Sequence, residues 1–184
     1  MTVLRGRRLM LRDLVIDDWP AVHAYSSCPD VVQYQPWGPN TPDESRAFVT
    51  QIVAAARAVP RRVYPLAVTL GESDRRCIGT STLQVHSLDH AQGEIGYFLH
   101  PDAWGHGYAT EAARLLLGFG FRDLGLHRIF GTCDPRNTPS AHVLEKIGMV
   151  YEGRLRHAMR FRDGWRDSAV YSILAPEWQD PAAE

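Results

Sequence analysis

The sequence contains no run of about 18 apolar residues, so it offers no helix able to cross a bilayer. Its opening, MTVLRGRRLMLRD, is basic, but the apolar part is short and interrupted by arginines. That segment lacks the apolar centre of a secretion signal, and a cytoplasmic protein is expected. Cysteine is scarce. Cys28, Cys77 and Cys133 are far apart, odd in number and free of any C-x-x-C spacing. This argues against a disulfide framework and a structural zinc site, and no metal is expected at His106, which has no other His or Cys within usual ligand spacing. Lysine is scarcer still: Lys146 is the only one among 20 basic residues. Net charge is −1, so no broad surface for nucleic acid or anionic membrane is expected. Repeats, low-complexity stretches and linkers are missing too. With 184 residues, one domain with a real core is expected.

The patterning that is present alternates between strand and helix. Arg8–Arg12 alternates polar and apolar and predicts a first strand. A short helix follows from Asp17 toward Ser27. Residues 27–45, rich in proline and aromatics, read as loop. Thr41, Pro42 and Glu44 then form a helix start, with the helix predicted to reach about Val59, before Pro60. Tyr64–Leu70, Cys77–His86 and Glu94–Leu99 predict three strands in a meander. Tyr108–Leu124 predicts a helix that Gly125 ends. His127–Cys133 is a strand pattern, and Asn137–Ile147 a helix ending at Gly148. Val150–Arg162 and Trp165–Leu174 flank Asp163-Gly164, a two-residue hairpin signal. The strand–helix–strand unit from Glu94 to Cys133 implies one parallel pair. The expected fold is a single α/β domain with a mixed, mostly antiparallel twisted sheet and flanking helices.

WGHGYATEAARLL, residues 104–116, carries the first chemical signal. Gly105 and Gly107 lack Cβ, so a ligand can approach the backbone closely. They stand where a helix begins, and helix N-termini leave amides unpaired, which suits a phosphate. A plain turn would use the same glycines. A P-loop is ruled out by the lack of G-x-x-x-x-G-K-[S/T]. A dinucleotide fingerprint lacks its third glycine.

WGHGYATEA resembles the acyl-CoA-binding signature of the GNAT superfamily of N-acetyltransferases. Gly107 and Ala109 match that signature, and Trp104 departs from its first position. Tryptophan there is familiar in the branch similar to ribosomal-protein (alanine) N-terminal acetyltransferases. RRLMLRDLVIDDW, VVQYQPWGP, EIGYFLHPDAWGHGYATEA, GLHRIFGTCDPRNTPSAHVLEKIGM and the final EGRLR…DGWRDSAVYSIL resemble that branch in order. The resemblance implies an enzyme that uses acetyl-CoA as acyl donor. CoA's pyrophosphate would lie on the amides of about Gly105 to Thr110, through His106, Gly107, Tyr108 and Ala109, with Trp104 beside them. The strand near Tyr97–Leu99 would part from its neighbour at a bulge. The pantetheine arm would then bond to Phe98 and Leu99, since a bulge frees ladder groups.

Acetyl transfer to an amine needs a base, an oriented thioester and a proton for the departing thiolate. Glu94 is the first candidate base, or else a solvated strand-end carboxylate. His157 is the second, or else a partly buried strand histidine. It is expected to face the same side as Met159, which occupies a place where the branch can carry a Glu. Asn137 and Ser140 resemble the residues beside the CoA arm, with Ser140 placed to protonate the thiolate. Both would equally cap a helix. Lys146 would meet a CoA phosphate or only close its helix end. Cys133 reads as a small buried hydrophobe. Tyr34, Gln35, Trp37 and Tyr97 are candidate walls for the acceptor. The first acceptor class is a protein or peptide N-terminal α-amine. A small amine, such as an amino acid or polyamine, and a non-catalytic CoA-binding module are the alternatives. A homodimer is the expected assembly by analogy alone.

Overall fold

Eight strands pair into one sheet in the computed structural model, which describes residues 1–71 and 74–179. The chain runs β1 (Val3–Arg5), β2 (Met10–Asp13), α1 (Trp19–Ser26), α2 (Pro29–Val32), α3 (Pro42–Ala55), β3 (Val63–Leu70), β4 (Asp74–Ser87) and β5 (Gln92–Leu99). It continues with α4 (Tyr108–Gly118), β6 (Arg128–Cys133), α5 (Thr138–Lys146), β7 (Val150–Phe161) and β8 (Gly164–Leu174). The sheet order is β1-β2-β3-β4-β5-β6-β8-β7, and only β5 and β6 are parallel. The α/β class and the mixed sheet are as expected.

Local chemistry explains most elements. The Thr41 hydroxyl accepts from the Glu44 amide at 3.3 Å, and Glu44 Oε2 accepts from the Thr41 amide at 2.7 Å. This capping box starts α3. The helix stops at Ala55, short of Val59, because the residues beyond have no core to cover: Val59 is 95% exposed. The α4 helix turns Ala112, Ala113, Leu116 and Leu117 fully inward, then widens into a π turn over Phe119–Asp123 rather than running on as α-helix to Leu124. The first strand was expected at Arg8–Arg12. Instead Val3–Arg5 and Met10–Asp13 form a hairpin, with Arg8 in its connection. One helical turn, α2, interrupts the long loop. The last hairpin turns at Arg162-Asp163, one residue earlier than expected.

Two apolar layers cover the sheet. One holds α4 and α5 against Leu66, Leu83, Ile95, Leu99 and Ile129. The other holds α1 and α3 against Leu14, Ala67 and Cys77, with Phe98 beside them. Along β5 the side chains alternate between these layers, so Tyr97 and Leu99 face α4 and α5 while Glu94 and Phe98 face α1 and α3.

Candidate active site

The sheet opens between β5 and β6. They pair only from Gln92–Glu94 to Arg128–Phe130, although both strands continue. The expected parting is present, and its cause differs from the bulge expected there. Strand β5 follows β4 with no register shift from Gly93 to Leu99. Each strand stays with its outer partner as the two part, β5 with β4 and β6 with β8, from Arg128–Leu174 to Cys133–Ala169.

The exposed ladder groups follow from alternation. The His100 amide donates to the Ile78 carbonyl on β4 at 2.9 Å. In an antiparallel ladder every second residue faces the same neighbour, so Phe98 and Gly96 also turn their amides to β4. The Ile95 amide still meets β6 at the Glu94–Phe130 bridge, and those of Tyr97 and Leu99 face the gap. The Phe98 amide is therefore turned from the gap, where it was expected to meet a ligand, whereas those of Tyr97 and Leu99 line it. The Leu99 carbonyl already accepts from the Trp104 indole at 3.0 Å, so Trp104 closes the end of the gap.

The glycine loop lies beyond that end. Gly105 and Gly107 have φ of +77° and +76°, a region costly for other residues, and nothing lies within 4 Å of a Cβ placed on Gly105. Gly107 is the N-cap of α4 and supplies no side-chain cap. The amides of residues 105–110 donate to no group among the described residues. The loop is thus an open ring of donors at a helix N-terminus, which fits a phosphate. The His106 ring stacks on Tyr108 at 5.4 Å, while Ala109 and Thr110 continue the first turn.

Between loop and fork, on the α4 and α5 side, three groups converge. The Tyr97 hydroxyl lies 3.1 Å from Ser140 Oγ and 3.1 Å from its carbonyl. Burial pushes that hydroxyl well above its ordinary pKa, so it stays protonated. Asn137 Oδ1 accepts from the Ser140 amide at 3.2 Å and caps α5, so capping and a place at the gap coincide. Cys133 lies beside Ser140. Burial, then the charge of Asp134, pushes its thiol up to about 11, and the thiol stays neutral at pH 7. Lys146 is remote from this group, at the exposed end of α5. Arg114, not Lys146, closes that helix, donating to the Lys146 carbonyl at 3.0 Å.

Glu94 stands on the opposite side, where the strands part. Its Oε2 is 2.9 Å from His86 Nε2 on β4, and its Oε1 accepts from the Thr132 hydroxyl on β6 at 3.0 Å. The His86 ring leans on Phe130 at 5.3 Å. With 30% of its side chain exposed, Glu94 is held yet reachable. Neither His86 nor Thr132 was a sequence candidate. His86 falls at the register shift between Val85 and Ser87, so strand spacing from Gln84, the residue opposite Glu94, did not place it.

The loop before α3 lies across this side. Trp37 packs edge-on against Phe98 at 5.3 Å. Tyr34 lies under the Arg136 guanidinium at 5.8 Å. Gln35 sits between them in the chain, its amide bonded to the Val32 carbonyl. His157 is not on the same strand period as Met159. A register shift falls between Leu155 and Met159, and His157 has φ +50°. The Asp167 carboxylate accepts its amide at 2.8 Å, and its exposed ring stacks over Trp165. A bulge re-aims the side chain at that point, so two-residue spacing no longer predicts its face.

Known proteins share this architecture. The family model for the acetyltransferase (GNAT) domain matches residues 8–150. The uncharacterised N-acetyltransferase YnaD of Bacillus subtilis is 35% identical over 173 residues, covering 94% of this chain and 96% of that protein. A GNAT-family acetyltransferase from Bacillus anthracis superposes with a TM-score of 0.84 at 35% identity, covering 96% of this chain and 100% of that one. Mycobacterium smegmatis RimJ, solved in complex with CoA-disulfide, superposes with a TM-score of 0.80 at 26% identity, covering 96% and 87%. A parted β5–β6 pair with a donor ring at its mouth is what a pantetheine thioester needs, and the chain belongs to the GNAT family of acetyl-CoA-dependent N-acetyltransferases.

Proposed function

We propose that this enzyme acetylates the α-amine of a protein or peptide N-terminus by direct attack on acetyl-CoA in a ternary complex. The observation that carries the mechanism is the division of labour across the fork. Glu94, anchored by His86 and Thr132, faces one side, and Ser140 with Tyr97 faces the other. As the amine nitrogen bonds to the thioester carbon, Glu94 accepts the amine's proton. The carbon–sulfur bond breaks, and Ser140 gives its proton to the leaving thiolate. The Tyr97 hydroxyl holds Ser140 Oγ in place, and the proton taken up by Glu94 returns through solvent to restore the Ser140 hydroxyl. Cys133 is neutral and takes no part, which favours direct attack over an acetyl-enzyme.

Charge supports the acceptor class. Asp134 is paired by Arg136 at 2.6 Å and Asp163 by Arg166. A polyamine would need free carboxylates beside the reacting amine, and these are already partnered. An α-amine, with a pKa near 8, is partly neutral at pH 7 and needs only one base. The cofactor loop would hold CoA through the amides of residues 105–110, and the gap would take the pantetheine along Tyr97 and Leu99.

The test is thiol release from acetyl-CoA with three sets of acceptors: N-terminal peptides, free amino acids and polyamines. Saturable turnover on peptides is expected. Turnover on polyamines or amino acids with none on peptides would overturn the acceptor class. Saturable CoA binding with no turnover on any set would make the chain a binding module.

A further inference from the structure

Arg8 lies far from the glycine loop in sequence and against it in space. It belongs to the connection between β1 and β2, yet three of its groups reach the α4 region. Its amide donates to Glu111 Oε1 at 2.7 Å, and its Nε to Oε2 at 2.8 Å. Its Nη1 donates to the His106 carbonyl at 2.9 Å. The guanidinium stands over the Tyr108 ring at 5.0 Å. The Leu9 amide adds a second backbone donor to Glu111, at 3.2 Å.

The His106 contact has a geometric consequence. A trans peptide is planar, so its C=O and N–H point opposite ways. Drawing the His106 carbonyl toward Arg8 turns the Gly107 amide away from Arg8. Glycines at 105 and 107 leave this peptide free to rotate, and no other group among the described residues holds its carbonyl or its amide. Glu111 in turn holds Arg8 at two points, the backbone amide and Nε, which keeps the guanidinium beside the loop. Arg8 Nη2 remains 3.6 Å from where a Cβ on Gly107 would stand, at the rim of the donor ring.

We propose that Arg8 is a positioning residue for the phosphates of the acyl donor. It locks the His106–Gly107 peptide so that the loop's amides are aimed before the ligand arrives, and Glu111 holds it there. Preorganised donors spare the ordering cost that a mobile glycine loop would otherwise meet on binding. This rests on residues 105–110 being the phosphate cradle.

The experiment compares CoA with pantetheine, which lacks the phosphates, by calorimetry on the full chain. Arg8→Ala should weaken CoA binding about 10- to 100-fold, the range for losing a charge-assisted bond to the loop, and leave pantetheine binding unchanged. Arg8→Lys should recover part of the loss, because an ammonium reaches one acceptor but cannot fork between His106 and Glu111. Unchanged CoA affinity in Arg8→Ala, with affinity lost in Gly107→Val, would overturn the proposal and keep the cradle. Unchanged affinity in both would overturn the cradle itself. Equal loss of CoA and pantetheine in Arg8→Ala would mean general damage and also overturn it.

Discussion

The two sides of the fork are built by different means. On the side proposed for the cofactor the chemistry is mostly backbone: amides at a helix start, two glycines with positive φ, and free ladder groups on β5. On the acceptor side it is side chains alone. His86 from β4, Glu94 from β5 and Thr132 from β6 meet there, with Trp37 and Tyr34 brought over from the loop before α3. Backbone donors recognise a phosphate whatever the neighbouring side chains are. A side-chain assembly can be rebuilt position by position, so one fold can serve many amines.

The largest effect expected from breaking this division is at Glu94. Glu94→Gln keeps the size and the contacts to His86 and Thr132 but cannot accept a proton. Turnover should fall about 10²- to 10⁴-fold, the usual worth of a general base. CoA affinity should stay unchanged, because Glu94 faces the other side. Steady-state kinetics beside CoA calorimetry check both. Wild-type kcat in Glu94→Gln would remove it as the base.

A smaller loss is expected across the fork. Ser140→Ala removes the hydroxyl that faces the thiolate but leaves Tyr97 nearby, and a thiolate is a better leaving group than an alkoxide. A drop of about tenfold in kcat is expected, at the low end for proton transfer. The same substitution leaves the Asn137 cap intact, since that bond uses the Ser140 amide. A loss as large as that of Glu94→Gln would make protonation of the thiolate the harder step, and would make the cofactor side the seat of catalysis.

The same division explains what could be read from the sequence. Signals made by neighbours in the chain were legible: the Thr41–Glu44 box, the Asn137 cap, the glycines of the loop and the meander of β3, β4 and β5. Their physics is local, so the residues that interact are close in sequence. Arg8 and Glu111 lie 103 residues apart, and Glu94 and Thr132 lie 38 apart. Nothing in either segment alone marks the pairing. The bulge assigned to β5 failed for a related reason. At the opening each strand keeps register with its outer partner, and β8, the partner of β6, comes later in the chain. Trp104 shows the limit in a single residue. Its departure from the family signature was visible, but its bond to the Leu99 carbonyl needed the fold.

The smallest effect separates catalysis from shape on the acceptor side. His157 was a candidate base, and a base there would lose about 10²- to 10⁴-fold in kcat on replacement. Its geometry argues against that role. The residue sits at a register break with positive φ, its amide tied to Asp167 and its ring laid on Trp165. A ring stacked outward on a hairpin serves shape better than proton transfer. His157→Ala should change kcat by less than about threefold, well below the span of a lost base. His157→Gly adds a second control, because glycine accepts the positive φ and tests the ring apart from the backbone. If both variants keep kcat and only the acceptor KM drifts, the hairpin is a rim. If kcat collapses in both while CoA affinity holds, the base lies on β7, and the boundary between the two sides must be drawn again with Glu94 as its support.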